Sequence, residues 1–221
     1  MEEINTIKQT KNITKEVLDE ALAKRHGAEL QKKLSEAKVA ICGLGGLGSN
    51  IAVMLARAGI RHLHLIDFDD VDISNLNRQQ YFVNQLGEPK PKALAKTLEM
   101  IYPYVELKLD YIKITPENVQ NLLKDDAIIC EAFDRPDQKA MLVENVLMNF
   151  PKKKLVAASG MAGIDSSNSI KTKRIGKNFY LCGDQISDLA EGDGLFAPRV
   201  CTCASHQAMT VIRLIAGKDE L

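Results

Sequence analysis

Val39-Ala40-Ile41-Cys42-Gly43-Leu44-Gly45-Gly46-Leu47-Gly48-Ser49 is the stretch that decides the fold. A short apolar run ends in a glycine cluster, and Ile51 to Ala58 then supplies a helical face, so the order is strand, turn, helix. Gly43, Gly45 and Gly48 stand in G-x-G-x-x-G spacing. The first glycine permits a tight turn, the second lets the backbone approach a phosphate, and the third lets the helix pack close to the strand with its N-terminal amides facing an anion. Asp67, nineteen residues past Gly48 at the end of a second strand over 62–67, is placed to accept hydrogen bonds from a ribose. Alone, this loop says nucleotide without saying which, and its ordinary owner is an NAD-dependent oxidoreductase.

Outward from this unit the alternation continues. Helical spacing over 91–101, 116–124 and 137–149 is interleaved with strand-like runs over 105–112, 127–132 and 154–158. Helix-separated short strands predict βαβ crossovers and a Rossmann-like α/β fold, a doubly wound and mostly parallel sheet. Upstream, Val17, Leu18, Ala21 and Leu22, then Leu30, Leu34 and Ala37, predict two short helices broken at Gly27. Beyond Gly160 the pattern changes to β-rich patches (Ser169 to Ile175, Asn178 to Leu181), a loop with Gly192 and Gly194, and a closing apolar helix from about Cys203 to Ile215. One domain over 1–221 is expected: a helical extension at 1–37, a nucleotide-binding core at 38–160, and a β segment with a terminal helix at 161–221.

Lys+Arg and Asp+Glu each count 29 in 221 residues, so no overall basic field exists to hold nucleic acid or an anionic membrane. Met1 to Thr14 alternates charges with single apolar residues, and no charge-free run is long enough to span a bilayer. Five cysteines, an odd number, with two inside apolar strand-like runs, fit a reducing cytoplasm. Lys218-Asp219-Glu220-Leu221 spells an endoplasmic-reticulum retention signal, which has nothing to act on without a leader.

The segment from Asp67 to Gln79 places Asp67, Asp69, Asp70 and Asp72 and then Asn75, Arg78 and Gln79 just outside the second strand. Hydride transfer has little use for such a set. Arg78 offers a planar fork of donors suited to phosphate oxygens, and Lys90 and Lys92 add cations on a proline-flanked turn into a helix. Taken singly, each is also an ordinary solvated loop residue. Asp134, after the fourth strand, should lie at the carboxyl edge of the sheet, where open α/β folds bind ligands. There it suits Mg²⁺ across phosphates, or a helix N-cap before Pro136.

The loop GLGGLGS, the run SNLNRQ at 74–79, GEPK at 87–90 and FDRPDQKAML at 133–142 resemble the ThiF and MoeB adenylyltransferases, relatives of the ubiquitin-activating enzymes. Ala158-Ser159-Gly160, the run 167–172, Tyr180-Leu181-Cys182-Gly183-Asp184 and Ala197-Pro198-Arg199-Val200 narrow the resemblance to short bacterial ThiF-like proteins acting on ThiS. It runs from about Arg25 to the end.

The resemblance implies ATP and Mg²⁺ as cofactors, a ThiS-like sulfur carrier protein as partner, a homodimer, and a role in thiamine synthesis. It implies nucleotide contacts at Gly43, Gly45, Gly46, Gly48, Asp67, Asp69, Asn75, Arg78, Gln79, Lys90 and Asp134. Arg25, Arg78, Lys90 and Asp134 would carry the chemistry, with Asp134 on the metal and Arg25 reaching into the partner subunit's ATP site. Two other classes remain alongside: an NAD-dependent oxidoreductase, and an inactive dimeric binding protein. An intact ATP pocket also suits adenylation of another carrier or peptide carboxylate.

The pattern also departs from longer relatives. No C-x-x-C occurs, so zinc is not expected, and Cys201, Cys203 and His206 read as packing groups before a partial metal site. Longer relatives use a cysteine that bonds the activated carrier, and Cys182 is the candidate for exposure here. His62 and His64 share a strand face and are expected in packing or edge contacts.

Overall fold

The computed structural model describes residues 13–187 and 194–220. Met1 to Asn12, Gly192 and Leu221, on which expectations were placed above, lie outside the described residues. Seven strands form one sheet in the order β3-β2-β1-β4-β5-β7-β6. They are β1 Lys38–Cys42, β2 His62–Asp67, β3 Glu106–Tyr111, β4 Ile128–Glu131, β5 Lys154–Ala158, β6 Lys171–Arg174 and β7 Phe179–Gly183. All neighbours pair in parallel except β6 with β7. The order reverses at β1, with β2 on one side and β4 on the other, so a crevice opens at their carboxyl ends. The doubly wound, mostly parallel sheet agrees with the fold read from sequence, and the β-rich segment expected beyond Gly160 forms an antiparallel pair, β6 with β7, at its edge.

The central strands β1, β4 and β5 are largely apolar because both of their faces are covered, whereas the edge strands β3 and β6 are mostly exposed and charged. In β1, Val39 and Ile41 point into one core with the helices α3 Gly46–Arg57, α4 Lys90–Ile101 and α7 Ala197–Ile215. Ala40 and Cys42 point into a second core with α5 Val119–Leu122 and α6 Pro136–Asn149. Helices α1 Lys15–His26 and α2 Ala28–Glu36 break at Gly27 (φ +92°), as the spacing predicted, and Thr14 caps α1 by accepting from Val17 N–H.

Three boundaries differ from the sequence reading, two of them for a local reason. Helix α3 starts at Gly46 rather than Ile51, because the glycine loop itself provides its first turn. Helix α7 starts at Ala197 rather than Cys203, with Pro198 in the first turn, where a missing amide costs nothing. The helix expected over 116–124 shrinks to Val119–Leu122. His64 is buried, with Nδ1 2.8 Å from Asp126 Oδ2 and Nε2 2.7 Å from Asp110 Oδ2. His62 lies 3.1 Å from Glu106 on the edge strand β3, so His64 is a packed residue and His62 makes an edge contact, as expected.

The terminal residues fold back on the sheet. Tyr180 Oη donates to the Asp219 carbonyl at 3.2 Å and Lys154 pairs with the Asp219 carboxylate at 2.7 Å. No helix among the described residues is long and apolar enough to cross a membrane.

Candidate functional site

A cleft of about 360 Å³ opens at the carboxyl edge of the sheet, between the glycine loop, the turn after β2, the β4–α6 turn and the segment after β5. Its floor is the glycine loop. Gly43 has φ +91°, and a Cβ there would meet the Ala132 carbonyl at 2.8 Å, so both backbone and space require glycine. At Gly48 a Cβ would fall 1.8 Å from the Gly43 carbonyl oxygen, which explains the spacing of the motif's first and last glycines. Gly45 and Gly46 line the cleft, and Gly45 forms the N-cap of α3 without any side-chain cap, leaving the helix's first amides toward the cavity.

Asp67 accepts from Leu44 N–H at 2.6 Å and from Asp69 N–H at 2.9 Å. Burial pushes its carboxyl pKa up, against the lowering effect of Lys90 and of those two amides. Lys90 is only 6% exposed and lies 3.1 Å from Asp69 Oδ2. It sits at the first position of α4, where the helix dipole disfavours a cation, so its placement there is explained by anions brought to it. Asp69 is one. Lys92, expected beside it, is exposed and does not line the cleft.

Asn75, Arg78 and Gln79 are brought to the same cavity by a one-turn 3₁₀ helix, Ile73–Asn75, capped by Asp72. Arg78 donates to the Ser74 carbonyl at 3.2 Å and Asn77 Oδ1 at 2.8 Å, its guanidinium resting along the rim. Gln79 is buried, and its Oε1 has no partner among the described groups. Two residues that sequence reading missed hold this strip against α3. Asn50 Nδ2 donates to the Arg78 carbonyl at 3.0 Å, and Ser49 Oγ accepts from Gln80 N–H at 3.1 Å. Ser49 closes the GLGGLGS motif but was given no role there, and Asn50 follows it on a helix face that reads as ordinary packing.

Asp134 stands exposed at the opposite rim, in the β4–α6 turn. The N-cap of α6 is Arg135, with no side-chain cap bond, so the capping alternative for Asp134 is not what the structure shows. No three His, Cys, Asp or Glu side chains group as a metal site among the described residues. A single rim carboxylate nonetheless suits Mg²⁺, which usually binds through one or two carboxylates plus substrate phosphates. Arg25 is exposed on α1 and does not line this chain's own cleft.

A second ion pair went unread in the sequence. Arg199 of α7 pairs with Asp184, both side chains nearly covered, and also donates to the carbonyls of Ala162 (2.9 Å), Asp165 (2.7 Å) and Ser166 (2.9 Å). Asp184 further accepts from the amides of Ile186 and Ser187 at 2.8 and 2.9 Å. Burial acts to raise its pKa, but these donors and Arg199 outweigh it and hold the carboxyl below its usual range. The segment after β5, which walls the cleft, is thereby anchored to α7 and to the exit of β7.

The cysteine expectation is overturned. Cys182 is fully buried in β7, where Thr172 Oγ1 lies 3.5 Å from its Sγ, and burial pushes its thiol up to about 11. The sequence made it the candidate for exposure, beside Gly183; pairing with β5 and β6 makes it a buried strand residue instead. Cys42, Cys130 and Cys203 are buried too, and Cys201 alone is half exposed, its Sγ 3.3 Å from Asn50 Oδ1.

The fold is that of the Rossmann-like α/β class, with a cleft at the carboxyl edge of its sheet. A family model described as the ThiF family matches residues 18–221, and the chain belongs to that family. Molybdopterin-synthase adenylyltransferase of Escherichia coli is 30% identical over 200 residues, 85% of this chain and 76% of that one. Sulfur carrier protein adenylyltransferase of Thermus thermophilus is 32% identical over 126 residues, 55% of this chain and 46% of that one. The adenylyltransferase and sulfurtransferase MOCS3 of Xenopus laevis is 35% identical over 136 residues, 61% of this chain and 30% of that one. The chain thus aligns with most of the first relative and with less than half of the other two. Among solved structures, E. coli tRNA N6-threonylcarbamoyladenosine dehydratase, TcdA, in complex with ATP has a TM-score of 0.84 at 21% identity, covering 93% of this chain and 97% of that one. At that identity the likeness is one of fold.

Proposed function

We propose that this protein is an ATP-dependent adenylyltransferase that activates the C-terminal carboxylate of a ubiquitin-like sulfur carrier, with a ThiS-like carrier of thiamine synthesis as the substrate. The observation that carries the reading is the buried Lys90 at the positive end of α4, facing a glycine loop and Arg78 in one cleft. A hydride-transfer site has no need of that cation; a triphosphate does. The names of the relatives, one acting on sulfur carriers and one on molybdopterin synthase, support the same class.

In this reading a carrier carboxylate oxygen attacks the α-phosphorus of ATP. The bond from that phosphorus to the oxygen bridging to the β-phosphate breaks, and pyrophosphate leaves with the electron pair. The nucleophile is already an anion, so no proton has to move, and the protein's work is positioning and charge neutralisation. Gly45, Gly46 and the first amides of α3 cradle phosphate, Asp67 takes the ribose, and Asn75, Gln79, Arg78 and Lys90 face the polyphosphate. Asp134 would hold Mg²⁺, which when bound neutralises phosphate charge.

A homodimer in the cytoplasm completes the proposal, with Arg25 of each subunit serving the other's site. Two observations support it. Arg25 is exposed and absent from its own cleft. Ile73, Phe82 and Val83, on the turns flanking Arg78, are 72%, 53% and 73% exposed, apolar surface of a kind that marks interfaces. A molybdopterin-type carrier is the second reading, favoured by the alignment over 76% of the E. coli relative.

The test is ATP–pyrophosphate exchange with ThiS, with the molybdopterin carrier, and with each lacking its C-terminal Gly-Gly. Exchange that requires the Gly-Gly tail is expected with one carrier, and exchange with none sinks the reading.

A further inference from the structure

Glu131 ends β4 under the cleft and is 1% exposed, and a carboxylate so placed needs a partner. Its partner is Lys139, one turn into α6, whose Nζ lies 3.0 and 3.1 Å from the two carboxylate oxygens. The same Nζ donates to the Ala158 carbonyl at the end of β5, at 3.0 Å. One ammonium therefore joins the carboxyl ends of two adjacent strands and the start of a helix. The Glu131 carboxylate in turn accepts from Phe133 N–H at 2.7 Å, and Ala132 N–H is bonded to the Cys42 carbonyl at 2.9 Å. From below, Gln207 of α7 donates to the Glu131 carbonyl at 2.9 Å.

These bonds fix both residues that precede Asp134, and Lys139 N–H closes the far side of the turn on the Arg135 carbonyl at 3.0 Å. Asp134 itself is exposed and makes no hydrogen bond or ion pair among the described residues. Its position is inherited from the turn. Lys139 borders the cleft, but its three donors are spent on Glu131 and Ala158, so it is not a phosphate ligand in this arrangement.

We propose that Lys139 is a positioning residue for adenylation: paired with Glu131, it locks the ends of β4 and β5 together and so holds the turn that presents Asp134 to the nucleotide. The proposal rests on the adenylyltransferase reading above. It differs from a merely stabilising ion pair in what it predicts once the protein is folded.

The experiment uses the full chain and the carrier that supports exchange in the wild type, with Lys139→Arg, Lys139→Met and the charge-neutral pair Glu131→Gln with Lys139→Met, each checked for folding by circular dichroism at the assay temperature. The neutral double variant removes the uncompensated buried charge and with it the simplest cause of unfolding. In the folded double variant, exchange turnover should fall at least about tenfold and half-saturation by MgATP should rise, while half-saturation by carrier stays within about twofold, since only the Asp134 side of the site is displaced. Lys139→Arg, which still pairs with a carboxylate, should recover most of the turnover. By hydrogen exchange the Phe133 amide should be protected in the wild type and exchange at least about tenfold faster in the double variant, with β1 amides unchanged.

Full turnover in the folded double variant overturns the proposal, as does an unprotected Phe133 amide in the wild type. Failure of the double variant to fold overturns it as well, because the pair then carries the fold and not the turn. Absence of exchange by the wild type with every carrier sinks the adenylation reading itself, a result separable from all of these.

Discussion

The amide of Leu44 donates to Asp67 Oδ2 over 2.6 Å, so the glycine loop and the end of β2 are held as one piece. Asp69 N–H occupies the other carboxylate oxygen at 2.9 Å, and each oxygen keeps a lone pair for a ligand hydroxyl.

Replacing Asp67 by Ala should therefore weaken ATP binding by at least about tenfold, since bonds to a charged acceptor are worth about 1.5–3 kcal/mol. Carrier affinity should change far less. Isothermal titration with each ligand separates the two, and preference for NAD over ATP would overturn the nucleotide assignment.

Asp134→Asn should lower pyrophosphate exchange more than about tenfold by removing a Mg²⁺ ligand. The side chain is exposed and caps no helix, so the melting temperature should hardly move. A collapse of the melting temperature with exchange preserved would contradict both halves of this expectation.

Arg25→Ala and Asp134→Asn homodimers should each be nearly inactive. In a co-expressed mixture about half the dimers are mixed, and each holds one site with both groups intact, so activity should return to about a quarter of wild type under two-fold symmetry. No recovery, in a mixture shown to contain mixed dimers, would place Arg25 outside a shared site, as would a protein monomeric at assay concentration.

The Arg199–Asp184 pair is covered, and Arg199→Met leaves a buried carboxylate without its cation, which should cost up to about 3–5 kcal/mol in urea unfolding at pH 7. Asp184 has a lowered folded-state pKa, so its contribution is present above the usual carboxylate range, near 3.8, and is lost as pH falls through the folded value. The stability gap between wild type and Asp184→Asn should accordingly narrow below about pH 4. A gap that widens on acidification would show that the sign is wrong.

Among the five cysteines, a thiol reagent should modify Cys201 first and the others only on unfolding, because only Cys201 is partly open. Mass mapping of early label on Cys182 would restore it as a reactive thiol.

Sequence alone made much of this legible, and the reasons are physical. The glycine loop announces itself because steric demands at Gly43 and Gly48 admit no other residue. Arg78, Lys90 and Asp134 were readable as a set, because cations and a carboxylate gathered around a glycine loop suit phosphates where each alone reads as a solvated loop residue, and all three line one cleft. Glu131, Lys139, Asp184 and Arg199 were not. Each looks like a solvated charge in the sequence, and only the pairing of β4 with β5 and the return of α7 across the sheet buries them against one another. Cys182 was misplaced for the converse reason, since a glycine after an apolar run marks the end of a strand as readily as a loop.

Val200 of α7 approaches Gly46 so closely that a Cβ on that glycine would lie 3.0 Å from its Cγ1. One wall of the cleft beside the glycine loop is thus supplied by α7, more than 150 residues after the loop it closes. During synthesis from the N-terminus, the glycine loop, β2 and α4 emerge long before their final partner, so a growing chain displays the nucleotide motif without a finished cradle. On the adenylyltransferase reading, the nucleotide cradle is complete only once α7 has folded back against the loop.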